Sequence, residues 1–215
     1  MKEEDRYAHR REAMVRTQIE ARGVRDPRVL AAMRAVPRHL FVPEDLHSRA
    51  YEDHPLPIGY DQTISQPYIV ALMTELLDLE PGEKALEIGT GSGYQAAVLA
   101  ELTDTVFTIE IVPELAERAR ADLAAAGVRG VNVRAGDGYR GWPEEAPFDG
   151  IIVTAAPEEV PAPLIEQLAE GGRLVIPVGD TYQDLILLRK EKGEIIRRVV
   201  IPVRFVPMTG EAEKR

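Results

Sequence analysis

Apolar residues change their spacing near residue 80 of this 215-residue chain. Beyond that point, short apolar runs alternate with segments in which apolar residues recur every three to four positions, a pattern typical of alternating strands and helices. The runs predict strands at 85–88, 106–111, 131–134, 148–153, 173–178, 185–189 and 195–206. The intervening segments predict helices at 94–102, 113–126 and 161–169, with a short or irregular one at 139–142.

This alternation predicts an α/β fold, with a Rossmann-like, doubly wound and mostly parallel sheet. The last two strands are separated only by residues 191–194. So short a connection indicates a hairpin, and the C-terminal edge of the sheet is therefore expected to be antiparallel.

Before residue 80 the pattern is helical and rich in loops. Apolar residues at helical spacing predict helices at about 5–22, 27–36 and 67–79. The proline-rich residues 37–67 are expected to form an ordered loop with short extended pieces, and long loops of this kind are often functional.

The length of the chain and the lack of an internal repeat fit a single domain spanning 1–215. We expect it to consist of an N-terminal helical and substrate-loop segment, 1–79, and a cofactor-binding core, 80–215.

Composition excludes several classes of function. The formal net charge of -10 argues against nucleic acid as a partner, and the absence of cysteine excludes disulfides, thiolate catalysis and cysteine-ligated zinc. The four histidines have no metal-ligand spacing, so no metal is predicted. No apolar run reaches the length of a secretory signal or a membrane span, and we expect a cytoplasmic protein with no membrane partner.

Three glycines at alternate positions, Gly89, Gly91 and Gly93, follow the first strand of the core, and Thr90 lies between the first two. Glycine permits φ > 0 and lets a ligand approach main-chain N–H groups, so this turn predicts a nucleotide site. By itself it also satisfies the loose fingerprint of NAD and FAD sites.

Three acidic residues favour S-adenosylmethionine over a dinucleotide. Glu87, inside the strand before the turn, would suit a cationic ligand better than a pyrophosphate. Glu110 closes the second strand, where a carboxylate can accept both ribose hydroxyls of either cofactor, although it could also be a charged strand end at the surface. Asp137, between two glycines, could reach the adenine amine or could belong to an ordinary turn.

The order of these motifs resembles that of the Rossmann-like S-adenosylmethionine-dependent methyltransferases. Three other stretches resemble the protein-L-isoaspartate O-methyltransferase family: VPRHLFVP at 36–43, LPIGYDQTISQP at 56–67 and RFVPMTG at 204–210. The resemblance covers nearly the whole chain. It implies repair of damaged peptides and proteins by methyl transfer from S-adenosylmethionine to the carboxylate of L-isoaspartyl residues, giving a methyl ester and S-adenosylhomocysteine.

The resemblance also implies a set of site residues. Ser65 is the expected catalytic residue, and Thr63, Gln66 and Val206 are expected to bind the peptide with it. The expected cofactor-binding residues are Ile64, Glu87, Gly89, Thr90, Gly91, Gly93, Glu110, Ile111, Asp137, Gly138 and Thr209.

Chemistry and spacing bear on the role of Ser65. Thr63 and Ser65 are two residues apart, so in an extended segment both hydroxyls lie on one face and Ile64 lies on the other. Alternatively, both hydroxyls could satisfy local backbone groups before the helix that Pro67 begins. A carboxylate acceptor is already ionised at pH 7, so no general base is needed, and Ser65 would orient the acceptor.

Other functions remain open at this stage. The same cofactor core could methylate a small molecule or RNA, could be a nicotinamide-dependent oxidoreductase, or could bind the cofactor without catalysis. We expect a monomer.

Overall fold

The computed structural model describes residues 3–214. The helices are α1 Glu3–Met14, α2 Pro27–Ala35, α3 Pro67–Leu77, α4 Tyr94–Ala100, α5 Pro113–Ala125 and α6 Ala162–Glu166. The strands are β1 Leu56–Gly59, β2 Gln62–Ile64, β3 Lys84–Ile88, β4 Thr105–Glu110, β5 Val131–Ala135, β6 Phe148–Val153, β7 Leu168–Val178, β8 Gln183–Glu191 and β9 Glu194–Val203.

The N-terminal helices form as their sequence predicts, and they bury one apolar face each. After α1 the chain continues through a π-helical turn at Val15–Ile19 and a 3₁₀ turn at Glu20–Arg22 before Gly23 ends it. Asp26 caps α2, since its carboxylate accepts a hydrogen bond from the Arg28 amide at 2.8 Å. The buried faces of these helices pack with α3 and α4 into one apolar cluster.

The proline-rich loop is ordered and more regular than its sequence suggests. It contains 3₁₀ turns at Arg38–Phe41 and Glu44–Arg49 and then the hairpin formed by β1 and β2. The hairpin turn consists of Tyr60 and Asp61, which both have positive φ. The hairpin brings residues 62–66 back towards the main sheet.

Seven strands form the main sheet in the order β5-β4-β3-β6-β7-β8-β9. The neighbours from β5 to β7 are parallel, whereas β8 and β9 pair antiparallel at the C-terminal edge. Helices and apolar clusters cover both faces. The predicted fold class is thereby confirmed, and the order of strands reverses between β3 and β6, where ligands bind in such sheets.

Three predicted boundaries are wrong. The helix predicted at 161–169 ends at Glu166. Strand β7 begins at Leu168 rather than 173, because Leu168 pairs with Phe148 ahead of a register shift. The bulged Gly171-Gly172 pair interrupts the apolar run there and hides the start of the strand. The last strand ends at Val203 rather than 206, so residues 204–206 leave the sheet.

None of the helices within residues 3–214 has the length and apolar character needed to cross a bilayer.

Candidate active site

The glycine turn after β3 has the backbone that the sequence predicts. Gly89, Gly91 and Gly93 have φ values of +94°, +52° and +85°. The Gly89 amide donates to the Ile109 carbonyl of β4 at 2.8 Å, which fixes the turn against the sheet. A Cβ at Gly89 would collide with the hydroxyl of Thr154, so a larger residue cannot occupy this position without displacing the Thr154 side chain.

A first cavity lies at the carboxyl ends of β3, β4 and β6. Its lining includes main-chain and side-chain atoms of the turn, of the β1–β2 hairpin and of the segment that follows β9. The residues predicted for the site that line it are Thr63, Ile64, Ser65, Gly89, Thr90, Gly91, Glu110, Ile111, Gly138, Val206 and Thr209.

A second cavity adjoins the first. The walls of both cavities share Thr63, Ser65, Thr154 and Val206, so these residues stand at the junction between them. Gln66 lines only the second cavity. Two ligands could therefore meet at Ser65, one from each side.

Thr63 and Ser65 both line this junction, as expected if their side chains share one face. Ile64, between them, is 3% exposed and belongs to the apolar core. No hydrogen bond within residues 3–214 uses either hydroxyl. The alternative in which both hydroxyls satisfy local backbone groups is therefore wrong, and both can bind a ligand.

Arg38 holds Ser65 in place, and sequence reasoning missed this role. Its side chain is fully buried, and the guanidinium donates through Nη2 to the Ser65 carbonyl at 2.7 Å and through Nε to the Ala50 carbonyl at 2.8 Å. It also lies over the ring of Tyr94, the first residue of α4. Burial lowers the pKa of Arg38 to about 10, so it stays charged at neutral pH. The sequence feature that could have indicated this role is a charged residue inside the apolar stretch 36–43.

Thr154 is a second residue that sequence reasoning missed. It follows β6 directly, and its hydroxyl donates to the Gly89 carbonyl at 2.7 Å. The end of a central parallel strand was the available signal, because such positions face the ligand in doubly wound sheets.

Glu87 lies beneath the turn and does not line the first cavity. Its Oε2 accepts a hydrogen bond from the Thr108 hydroxyl at 2.6 Å, and that hydroxyl is 2.6 Å from the hydroxyl of Thr90, which does line the cavity. Oε1 has no partner among the described residues. Burial, reinforced by the charge of Glu110, raises the pKa of Glu87 to about 8.

The two other acidic residues differ in their access to the cavity. Glu110 lines it, and its carboxylate accepts from the amides of Gly91 and Val112 at 2.7 and 3.0 Å. Asp137 does not line it, because its carboxylate accepts from the amides of Tyr139 and Glu211 at 2.9 and 2.8 Å. It caps one 3₁₀ turn and anchors the C-terminal segment.

Gly93 also stays outside the cavity lining, since its Cα faces Leu123 of α5. Among residues 3–214 there is no group of three or more histidine, cysteine, aspartate or glutamate side chains that could hold a metal ion.

Comparisons with known proteins agree with this geometry. The family model described as protein-L-isoaspartate(D-aspartate) O-methyltransferase matches residues 9–213. A protein-L-isoaspartate O-methyltransferase from Gloeobacter violaceus is 58% identical over 200 residues, which cover 92% of this chain and 98% of the relative. A solved structure named protein-L-isoaspartate O-methyltransferase superposes with a TM-score of 0.85 at 32% identity, covering 94% of this chain and 67% of that one.

A second solved structure comes from Plasmodium falciparum and is described as a protein-L-isoaspartate O-methyltransferase in complex with S-adenosyl-L-homocysteine. It superposes with a TM-score of 0.80 at 27% identity and covers 92% of this chain and 97% of that chain.

Proposed function

The chain belongs to the protein-L-isoaspartate(D-aspartate) O-methyltransferase family. We propose that one of its two adjoining cavities binds the methyl donor and the other binds the methyl acceptor. The protein is a repair methyltransferase. It uses S-adenosylmethionine to methylate the carboxylate of L-isoaspartyl residues in damaged peptides and proteins, giving the methyl ester and S-adenosylhomocysteine.

The first cavity is the proposed S-adenosylmethionine site. Bound there, the cofactor supplies a methyl group carried by a positively charged sulfonium. Gly89 and Gly91 line the cavity without side chains, so main-chain groups of the turn can approach the cofactor, and the Glu110 carboxylate can accept the ribose hydroxyls. Ile111 and Gly138 are the proposed adenine contacts, and Ile64 and Thr209 complete the lining.

Glu87 and Asp137 need a different proposal, because neither lines the first cavity. The proposed role of Glu87 is indirect: its buried carboxyl accepts a hydrogen bond from Thr108, whose hydroxyl contacts that of Thr90 in the cavity wall. Asp137 is proposed to act by holding Gly138 and the C-terminal segment in place through its two main-chain hydrogen bonds.

The second cavity is the proposed acceptor site, with Ser65 as the residue that holds the isoaspartyl carboxylate. The carboxylate is ionised at pH 7, so it needs no base to remove a proton. A hydrogen bond to the attacking oxygen would weaken that oxygen as a nucleophile, so the Ser65 hydroxyl is proposed to donate to the other oxygen. Thr63, Gln66 and Val206 surround the same acceptor.

Catalysis then depends on alignment. Fixing two reactants in a productive geometry can contribute on the order of 7–11 kcal/mol to lowering the barrier. The chain contributes this by placing Ser65 at the junction of the cavities, with Arg38 holding its main chain from below. The shared position of Ser65 in both cavity walls is the observation that carries the proposal.

Paired peptides that differ only in Asp or isoAsp test the proposal. We expect methylation from S-adenosylmethionine on the isoAsp peptide alone, and activity on neither peptide or equally on both would refute it.

In Ser65→Ala, kcat/KM should fall much further than the affinity for S-adenosylhomocysteine. Ser48→Ala, an exposed serine in the Glu44–Arg49 turn, is the matched control and should change neither.

Three features of the assembly belong to the proposal. Residues 1–79 and 80–215 are proposed to work as one domain, which is supported by the contribution of both segments to both cavities. A monomer in the cytoplasm with no nucleic-acid partner stays a prediction. Gel filtration at micromolar concentration tests the oligomeric state.

A further inference from the structure

The second cavity has an electrostatic character opposite to that of the whole protein. The chain carries a formal net charge of -10, but the charged side chains among the described lining residues of this cavity are Arg22 and Arg204. No aspartate or glutamate within residues 3–214 lines it. A cavity lined by one sign of charge concentrates ligands of the opposite sign.

Arg22 forms a rigid part of the wall. Its guanidinium lies over the ring of Tyr68 at 3.6 Å and pairs with the Asp53 carboxylate at 3.0 Å. Asp53 is held in turn by the amide of Gln66 at 2.9 Å. Arg22 is therefore already paired with a carboxylate of the protein, Asp53.

Arg204 has no such compensation. Its side chain is exposed, and no hydrogen bond or ion pair joins it to another residue within 3–214. It follows the end of β9 and lies two residues before Val206, which stands at the junction of the two cavities. Two residues of extended chain span about 7 Å. A substrate side chain one or two residues from the isoaspartyl residue therefore lies at the distance of Arg204 from the reacting carboxylate.

We propose that the acceptor cavity selects isoaspartyl peptides with an acidic side chain within two residues of the isoaspartyl residue, and that Arg204 recognises that side chain. The inference rests on the proposed function of the cavity and adds a substrate preference to it. The reacting carboxylate occupies Ser65 at the junction, so a second carboxylate on the same peptide is the group that pairs with Arg204. Arg22, already paired with Asp53, limits the cavity on its other side.

A set of short isoaspartyl peptides tests this preference. In the reference peptide, glutamine occupies the two positions on each side of isoAsp. In the test peptides, Glu or Lys replaces one of these four glutamines at a time. For at least one position, wild-type kcat/KM should be about three- to fivefold higher with Glu than with Gln, and lower again with Lys, as for an exposed ion pair. The difference in kcat/KM between the Glu and Lys peptides should shrink at 0.5 M salt, because the Debye length is then only about 4 Å.

Charge reversal assigns the preference to one residue. Arg204→Gln should remove the difference between the Glu and Lys peptides, and Arg204→Glu should reverse it. Arg197→Glu makes the same change of net charge on β9 but outside the cavity lining, so it should keep the wild-type order.

Three results would overturn the inference: equal kcat/KM for the Glu and Lys peptides in the wild type, an unchanged preference in Arg204→Glu, or an equal loss of preference in Arg197→Glu. A wild-type enzyme that fails to methylate even the Gln reference peptide would refute the proposed function and this inference with it. The reference peptide thus separates the two failures.

Discussion

Replacing Arg38 by methionine should separate the activity of this enzyme from its stability. The Arg38 guanidinium donates to the carbonyl oxygens of Ala50 and Ser65, and the side chain is fully buried. Methionine occupies a similar length of apolar space and removes both hydrogen bonds. The Ser65 peptide group is then free to turn, and its hydroxyl moves away from the acceptor position.

Two opposing effects determine the change in the free energy of unfolding. Each buried carbonyl oxygen left without a partner costs about 1–3 kcal/mol, or about 2–6 kcal/mol for the pair. Burial lowers the pKa of Arg38 from 12.5 to about 10, which corresponds to roughly 3 kcal/mol that the folded protein recovers when the charge is removed. Nη1 has no partner among the described residues, so no further bond is lost. The net destabilisation should be at most about 3 kcal/mol.

The loss of activity should be large even under conditions in which the variant stays folded. A displacement of about 1 Å in a positioning group costs on the order of 100-fold in rate, so kcat/KM with an isoAsp peptide should fall about 100-fold. Affinity for S-adenosylhomocysteine should change little, because the glycine turn and Glu110 keep their own hydrogen bonds. Urea unfolding, steady-state kinetics and calorimetric titration measure the three quantities.

Two further variants make the result interpretable. Arg134→Met is the matched control, because Arg134 also donates to a main-chain carbonyl, that of Gly141, and lies over an aromatic ring, that of Trp142, away from Ser65. It should leave kcat/KM unchanged. Arg38→Lys keeps one cationic donor and should recover part of the activity. The positioning role is refuted if Arg38→Met keeps wild-type kcat/KM, or if its cofactor affinity falls as far as its kcat/KM.

Three other predictions follow from single sites. Because burial raises the pKa of Glu87 to about 8, its contribution to stability is complete below about pH 4.5 and is lost as the pH rises through 8. Between pH 5 and 9, the free energy of unfolding should therefore decline less in Glu87→Gln than in the wild type. Equal declines in denaturant unfolding would refute this. Gly89→Ala should weaken binding of S-adenosylhomocysteine in a calorimetric titration, whereas Gly193→Ala, which also has positive φ but open space, should leave it unchanged. Mass-spectrometric mapping of aged native enzyme should find no isoaspartate at Asp137 or Asp149, since main-chain amides hold both carboxylates; its appearance there would refute that protection.

Residues whose role is local in sequence could be predicted. The glycine turn follows from the intrinsic freedom of glycine, and the position of Glu110 follows from the end of a strand, so both lie where expected. Alternation along an extended segment predicts that Thr63 and Ser65 share one face, and both residues line the junction of the cavities. The choice of substrate came from resemblance over residues 36–43, 56–67 and 204–210, because no local rule links a serine to an isoaspartyl acceptor.

Residues that act through distant main-chain atoms could not be predicted. Arg38 contacts carbonyl groups 12 and 27 residues away, and Asp137 accepts from an amide 74 residues away. Every residue has these carbonyl and amide groups, so their partners leave no pattern in the sequence. The start of β7 was missed for a related reason, because Leu168 is identified as a strand residue only by its pairing with Phe148.

The chemistry of the reaction explains why the decisive contacts are of this kind. A carboxylate acceptor needs no base, so the protein contributes orientation, and orientation requires a fixed main chain at Ser65. A buried arginine suits this task because its planar fork directs donors on different nitrogens to two carbonyl groups, whereas all donors of a lysine lie on a single nitrogen. The buried charge costs stability, and the structure retains it in contact with Ser65, which lines both cavities. We therefore expect substitutions at this site to affect alignment first, and folding and cofactor binding less.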